Sequence, residues 1–376
     1  MSFQRTLSIK KSLIRQMYEK ADANCIDLSI GIPYLKTPDS VKRAAISAIS
    51  KDKTFYTENR GMLEIRKLIA EKFNKNHKTK IGYDSVTVTT GSTEALFSAM
   101  FSIIMPGDSV LIPDPGYPAY ESVAKMLGAN IVYYKSSLSP NETEYESIKK
   151  VYGEKVKVII INSPANPTGR IIPKEQIEKI ADFLKEKGTF VISDEVYSDL
   201  IYCGEFISIA DFLPMNRCVA ISGVSKSYGM TGWRIGWSIS SEKNAKELNK
   251  SHMYIVSCAP SISQYAAIEA LKNKHCEHYA LSAMSKNRET ALAELEELKH
   301  IKLYPPEGAI FLFVDVSQLG KGEKVAFDLL EKEKVITVPG IGFGKRGENY
   351  IRISFGVEPD ILREGLNRIK KYFSSI

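Results

Sequence analysis

The sequence predicts an α/β protein, with a large, doubly wound, mostly parallel sheet domain and a smaller α+β domain. Three observations predict it. The chain has 376 residues, more than one small core organises. Through its middle, short apolar segments alternate with amphipathic ones of helical length, as in strands joined by helical crossovers. Beyond residue 261 that alternation stops, and a long helical pattern is followed by two strands and two helices.

In chain order, residues 83–90 read as a strand, with Val86 and Val88 set between threonines. Gly91-Ser92-Thr93 then opens a helix over 94–102. Residues 109–112 and 130–134 read as strands, with a helix over 118–127 between them. Residues 156–161 are almost continuously apolar, the mark of a strand covered on both faces. Pro173 begins a helix running to about 187, and residues 189–193 and 218–222 return as strands. In the last third, 261–298 form one long helical pattern. Residues 309–314 and 350–355 are strand-like, and 325–333 and 360–372 helical. The break in pattern places the boundary between large and small domains at about residue 275.

Composition excludes several classes. Apolar content of 44% and charged content of 25% are those of a folded globular protein rather than a disordered one. The net charge of +7 is spread thinly, and Lys149, Lys150, Lys155 and Lys157 read as a solvated face, so no nucleic acid is expected. The N-terminus lacks the apolar core of a signal peptide, and no run of eighteen apolar residues exists, so no membrane association is expected. Five cysteines without a CxxC pair read as reduced thiols of a cytoplasmic protein. His275-Cys276-Glu277-His278 has no further ligand cluster and reads as helix surface, so no metal is expected.

Chemistry concentrates at the predicted strand ends. Lys226 follows the small-residue strand end Ser222-Gly223, and Arg234 comes eight residues later. An amine there can form a Schiff base with a carbonyl, and the guanidinium can hold a dianion nearby. Asp194 ends an apolar strand, where a carboxylate is costly unless paired. Gly91, Ser92 and Thr93 lie between a strand and a helix, where backbone N–H groups and the helix dipole favour a phosphate. Arg352 lies in an apolar strand and needs an anion. Singly these have ordinary readings: Asp, Ser and Thr cap helices, and the Asn, Pro and Gly of Asn162-Ser163-Pro164-Ala165-Asn166-Pro167-Thr168-Gly169 make turns.

Together, in this chain order, the segments resemble the class I/II aminotransferases, the aspartate aminotransferase-like enzymes of PLP-dependent fold type I. The resemblance runs from Gly31 to Arg352. It implies pyridoxal 5'-phosphate (PLP) as cofactor, with Lys226 on its aldehyde and Asp194 on its ring nitrogen. Asn166 and Tyr197 would share the ring 3-oxygen, and Tyr117 would stack on the ring. Gly91, Ser92, Thr93, Ser225 and Arg234 would cup the phosphate. Arg352, Asn166 and Gly31 would receive the substrate α-carboxylate. Lys226, Asp194 and Tyr197 are the expected catalytic residues. Tyr56 opens Tyr56-Thr57-Glu58-Asn59-Arg60-Gly61-Met62-Leu63-Glu64-Ile65-Arg66, which matches a family segment whose tyrosine reaches the neighbouring subunit's phosphate. A homodimer with shared active sites is therefore implied. The small domain would be discontinuous, residues 1–44 with 276–376, against a large domain of 45–275.

The expected reaction moves an amino group from an L-amino acid to a 2-oxo acid, 2-oxoglutarate, by a ping-pong cycle. A C–S β-lyase or a synthase would use the same residues, because the outcome depends on which substrate bond is aligned with the ring. A non-catalytic regulator would need an added DNA-binding module, for which the sequence offers no room. The chain departs from the family pattern at Gly223, where a serine is common. It departs again at Ile32, Tyr34 and Leu35, which replace acidic and aromatic residues and imply a different substrate choice. Pro339-Gly340-Ile341-Gly342-Phe343-Gly344 lacks a following helix, so it is no dinucleotide loop and resembles the family's loop near the substrate.

Overall fold

The computed structural model describes residues 4–7, 9 and 11–374. Helices α1 (Leu13–Glu19), α2 (Asp39–Ser50) and α3 (Leu63–Asn76) precede the large sheet. The sheet then builds from β1 (Val86–Thr89), α4 (Ser92–Ile103), β2 (Ser109–Asp114), α5 (Pro118–Met126) and β3 (Asn130–Lys135). It continues with β4 (Val156–Asn162), α6 (Lys174–Lys185), β5 (Phe190–Asp194), β6 (Cys218–Gly223) and β7 (Gly236–Ile239). The strand order is β1-β7-β6-β5-β4-β2-β3. The four pairings from β6 to β3 are parallel, and β7 runs antiparallel to both its neighbours.

Both faces of this sheet are buried, and the period-2 alternation of a strand divides them. Along β4, Ile159 and Ile161 join one apolar core with Ile69, Phe73 and Val88. Val158 and Ile160 join the opposite one with Leu96, Met100 and Ile192. Crossover helices cover each face, so the strands' C-terminal ends open on one edge, where ligands bind in such folds.

Beyond α7 (Glu242–Val256) come α8 (Ser261–Lys272) and α9 (Lys274–Glu296). A four-stranded antiparallel sheet follows, built from β8 (Lys302–Leu303), β9 (Phe311–Asp315), β10 (Val338–Pro339) and β11 (Tyr350–Ser354) in the order β10-β11-β9-β8. Helix α10 (Gly322–Glu333) lies between β9 and β10, and α11 (Pro359–Ser374) comes last. A third apolar core gathers α9, β9, α10, β11 and α11 with Met17 of α1, Leu28, and Tyr197 and Leu200 from just after β5.

Three sequence expectations are corrected. Residues 83–85 form a 3-10 turn, so the strand begins at Val86. The long helical pattern of 261–298 breaks at Asn273, whose side chain accepts the His275 N–H and caps a new helix. Strand β7 was not foreseen. It is four residues long and begins with Gly236, where a Cβ would lie 2.3 Å from the Ser92 backbone nitrogen. Glycine lets β7 press against the turn that opens α4.

Candidate active site

A cavity of about 290 Å³ opens at the C-terminal ends of the large-sheet strands, against the four-stranded sheet. Of the thirteen residues singled out in the sequence, eleven line it: Gly31, Ser92, Thr93, Tyr117, Asn166, Asp194, Tyr197, Ser225, Lys226, Arg234 and Arg352. Gly91 stands just behind. Its φ is +79°, and a Cβ there would lie 2.2 Å from Arg234 Nη2. Glycine is what allows the guanidinium to lie against the start of α4, where backbone N–H groups already favour an anion. Arg234 donates to Thr231 O at 3.0 Å. A Cβ at Gly223 would lie 2.9 Å from Ile235 O, which accounts for the missing side chain at that departure from the family pattern.

The Lys226 amine is buried and donates to Gly31 O. Burial, with the charges of Arg352 and Arg234, pulls it down to about 8, against the opposing pull of Asp194. Gly31 is tightly set: a Cβ there would lie 2.7 Å from the Phe311 ring. Asp194, at the end of β5, is pushed up by burial. The Tyr120 hydroxyl donates to its Oδ2 at 2.6 Å, and the Val196 N–H to Oδ1 at 3.3 Å. These bonds aim the carboxylate into the cavity. Tyr120 was missed in the sequence, although it lies one helical turn beyond Tyr117, packed edge-on against it with centroids 5.6 Å apart.

Arg352, on β11, is fully buried, and its guanidinium lies between the rings of Phe311 and Phe343, at 4.2 and 4.7 Å. One Nη donates to Asn166 Oδ1 at 2.9 Å and the other to Ser29 O, while the Nε has no partner. Burial lowers its pKa to about 10. Because Asn166 gives its oxygen to Arg352, its amide NH₂ is left to donate elsewhere. Tyr197 is buried beside Phe311, ring centroids 5.7 Å apart.

Tyr56 is not in this cavity. It is 87% exposed, in a separate hollow beside Thr90, the neighbour of Gly91. Its segment is pinned by Arg66, which donates to Gly61 O at 3.0 Å and to Glu58 at 2.6 Å.

The donor set is therefore an amine of lowered pKa, a half-buried carboxylate held by the Tyr120 hydroxyl, a hydroxyl-rich helix start beside a guanidinium, and a second guanidinium. These residues fit PLP: its aldehyde, ring nitrogen and phosphate would each find a side chain of suitable charge here. Fold and site together define a PLP-dependent enzyme. Residues 23–369 match the family model described as aminotransferase class I and II. The chain is 36% identical to a probable aspartate aminotransferase of Methanocaldococcus jannaschii, over 98% of this chain and 99% of the relative. It is also 36% identical to the (5-formylfuran-3-yl)methyl phosphate transaminase of the same organism, over 96% and 95%. The crystal structure of the Thermotoga maritima aspartate aminotransferase superposes with a TM-score of 0.93, at 34% identity, covering 99% of this chain and all of that one. The chain belongs to the class I and II aminotransferases and is a PLP-dependent transaminase.

Among the described residues, no helix is long and apolar enough to cross a membrane, and no group of three or more His, Cys, Asp or Glu side chains is placed to hold a metal ion.

Proposed function

We propose that the chain transfers an amino group from an L-amino acid to 2-oxoglutarate by a ping-pong cycle, with the sequence-identified residues in the roles their positions suit. The observation that carries this reading is the Lys226 amine. It is buried, held near 8, and shares one cavity with Asp194 and Arg352. PLP, when bound, supplies an aldehyde that captures amines and a ring that accepts the electron pair left as a Cα–H bond breaks.

The chain's own residues do the rest. Asp194, held by Tyr120, would keep a proton on the ring nitrogen. Asn166 and Tyr197, which line the same cavity, would donate to the ring oxygen, and Tyr117 would cover the ring face. Ser92, Thr93, Ser225, Arg234 and the backbone at Gly91 would hold the phosphate. Arg352 receives the α-carboxylate with two parallel N–H donors, beside Gly31 and Asn166. That grip would orient the Cα–H bond, and Lys226 Nζ, in the same cavity, would be the base that takes its proton and the acid that gives it back. Residues 1–44 and 276–376 form the smaller domain in this reading, against 45–275. Two chains pair so that Tyr56 of each completes the other's phosphate site.

The test follows the nitrogen. The holoenzyme is given ¹⁵N-labelled L-amino acids with unlabelled 2-oxoglutarate. Label recovered in glutamate, with one new 2-oxo acid per glutamate, supports the reading. Label released as ammonia, with pyruvate accumulating and no glutamate, overturns it in favour of β-elimination.

A further inference from the structure

Three cations line the cavity, and each has a use in the reading above: Lys226 as the amine, Arg234 at the phosphate end, Arg352 for the α-carboxylate. Among the described lining residues there is no fourth. The part of the wall around Gly31, the residue that accepts the Lys226 amine, is apolar instead. Ile30 and Ile32 flank Gly31, whose carbonyl accepts the Lys226 amine, and Ile14 reaches in from α1. Ile14 and Ile30 are half-buried, and Ile32 is 44% exposed at the rim. The cations beside Ile14 in the sequence, Lys11 and Arg15, are both paired with Glu19. The hollow around Tyr56, the part of a second copy implied to approach this site, brings no cation with it. It is lined by neutral residues, among them Phe55, Val256, Cys258 and Ile262.

We infer that Ile14, Ile30 and Ile32 form a side-chain subsite for neutral, apolar L-amino acids, and that aspartate, the donor named for several relatives, is a poor substrate here. The inference rests on the assignment of the three cations to amine, phosphate and α-carboxylate. Against these isoleucines, the short side chain of aspartate would lose water at its carboxylate and meet no counter-charge. A leucine, methionine or phenylalanine side chain would gain burial in the same place. Glutamate and 2-oxoglutarate are one methylene longer. Their distal carboxylate would extend further along the wall toward its rim, where Ile32 is 44% exposed to solvent. 2-Oxoglutarate therefore remains an acceptor, while the four-carbon dicarboxylates are disfavoured.

The experiment uses the holoenzyme and single-turnover mixing, with loss of the bound cofactor's visible absorbance as readout. The donors are L-leucine, L-methionine, L-phenylalanine, L-glutamate and L-aspartate. The best apolar donor should exceed aspartate by roughly 100-fold in the apparent second-order constant, with glutamate between them. Ile32→Arg places a cation at the exposed rim, and should raise aspartate relative to leucine by about tenfold. Ile14→Arg does so from a different element. Aspartate matching or outrunning the apolar donors in the unsubstituted protein overturns the inference and leaves transamination standing. Failure of every donor to convert the cofactor overturns both.

Discussion

A charged amine is poorly housed at Lys226. It is buried, and Arg352 and Arg234 stand close enough to repel it, so its pKa falls from the ordinary lysine value to about 8. The neutral form is the nucleophile. At pH 7 its share rises from about 0.03% to about 10%, roughly 300-fold. Covalent capture of PLP by the apoprotein should therefore speed up about tenfold per pH unit below 8 and level off above it. Stopped-flow absorbance across pH 6–9.5 checks this, and a rate still climbing at 9.5 would contradict the burial argument. Arg352 is the converse case, a cation that must stay charged and is gripped so that it can. Its ring stacking and two fixed donors are lost to lysine, so Arg352→Lys should cost about 2–4 kcal/mol in kcat/KM. Equal losses for an amino acid and for its decarboxylated amine would show that the clamp grips something other than the α-carboxylate. Lys226, Asp194 and Arg352 were legible in the sequence because a charge at the end of, or within, an apolar strand is conspicuous, whereas Asn166, Tyr197, Tyr117 and Gly31 were reached only through the resemblance to the family. Tyr120 was reached by neither, since it is one of 19 tyrosines and its partner Asp194 lies 74 positions away.

The element that matters most is the turn from β1 into α4. Gly91 holds a backbone conformation open almost only to glycine, and the space its Cβ would take is filled by Arg234. Gly91→Ala should cost about 1–3 kcal/mol in apoprotein stability through that conformation. It should also displace the guanidinium and weaken PLP retention by well over tenfold. Denaturant unfolding and cofactor dissociation measure the two separately, and a variant retaining PLP as tightly as the parent would remove Arg234 from the phosphate site. The parallel strands β2, β4, β5 and β6 were readable because burial on both faces makes them dense in apolar residues, while the edge strand β3, with only Tyr134 buried, showed through its β-branched and aromatic residues. Strand β7 was hidden by its shortness and its glycine, and the α8–α9 break by a helical pattern that runs on through Asn273. Only the cap at Asn273, a three-dimensional fact, divides them.

At the scale of the whole molecule, the site is nearly complete within one chain, and Tyr56 stands outside it. Phe55, Tyr56 and Tyr254 are 79, 87 and 86% exposed, unusual for aromatic side chains and suited to a second copy. Tyr56→Phe should weaken PLP retention roughly ten- to hundredfold, the worth of one hydrogen bond to a charged group. Mixing Tyr56→Phe with Lys226→Ala chains should restore native cofactor affinity at half the sites of the mixed dimers, because one site then holds both native residues. Mixed dimers showing only the average of their parents, or a fully active monomer, would contradict sharing. The central claim, that Lys226 is the amine on which PLP and the reaction turn, has a more direct test. Borohydride reduction of the holoenzyme fixes the cofactor on whichever lysine carries it, and peptide mass mapping then reads the position. The account predicts one adduct per chain, at Lys226, and none in Lys226→Ala, which should remain folded, still hold PLP without a covalent bond, and turn over no substrate. An adduct at any other lysine, or an active Lys226→Ala, would contradict it.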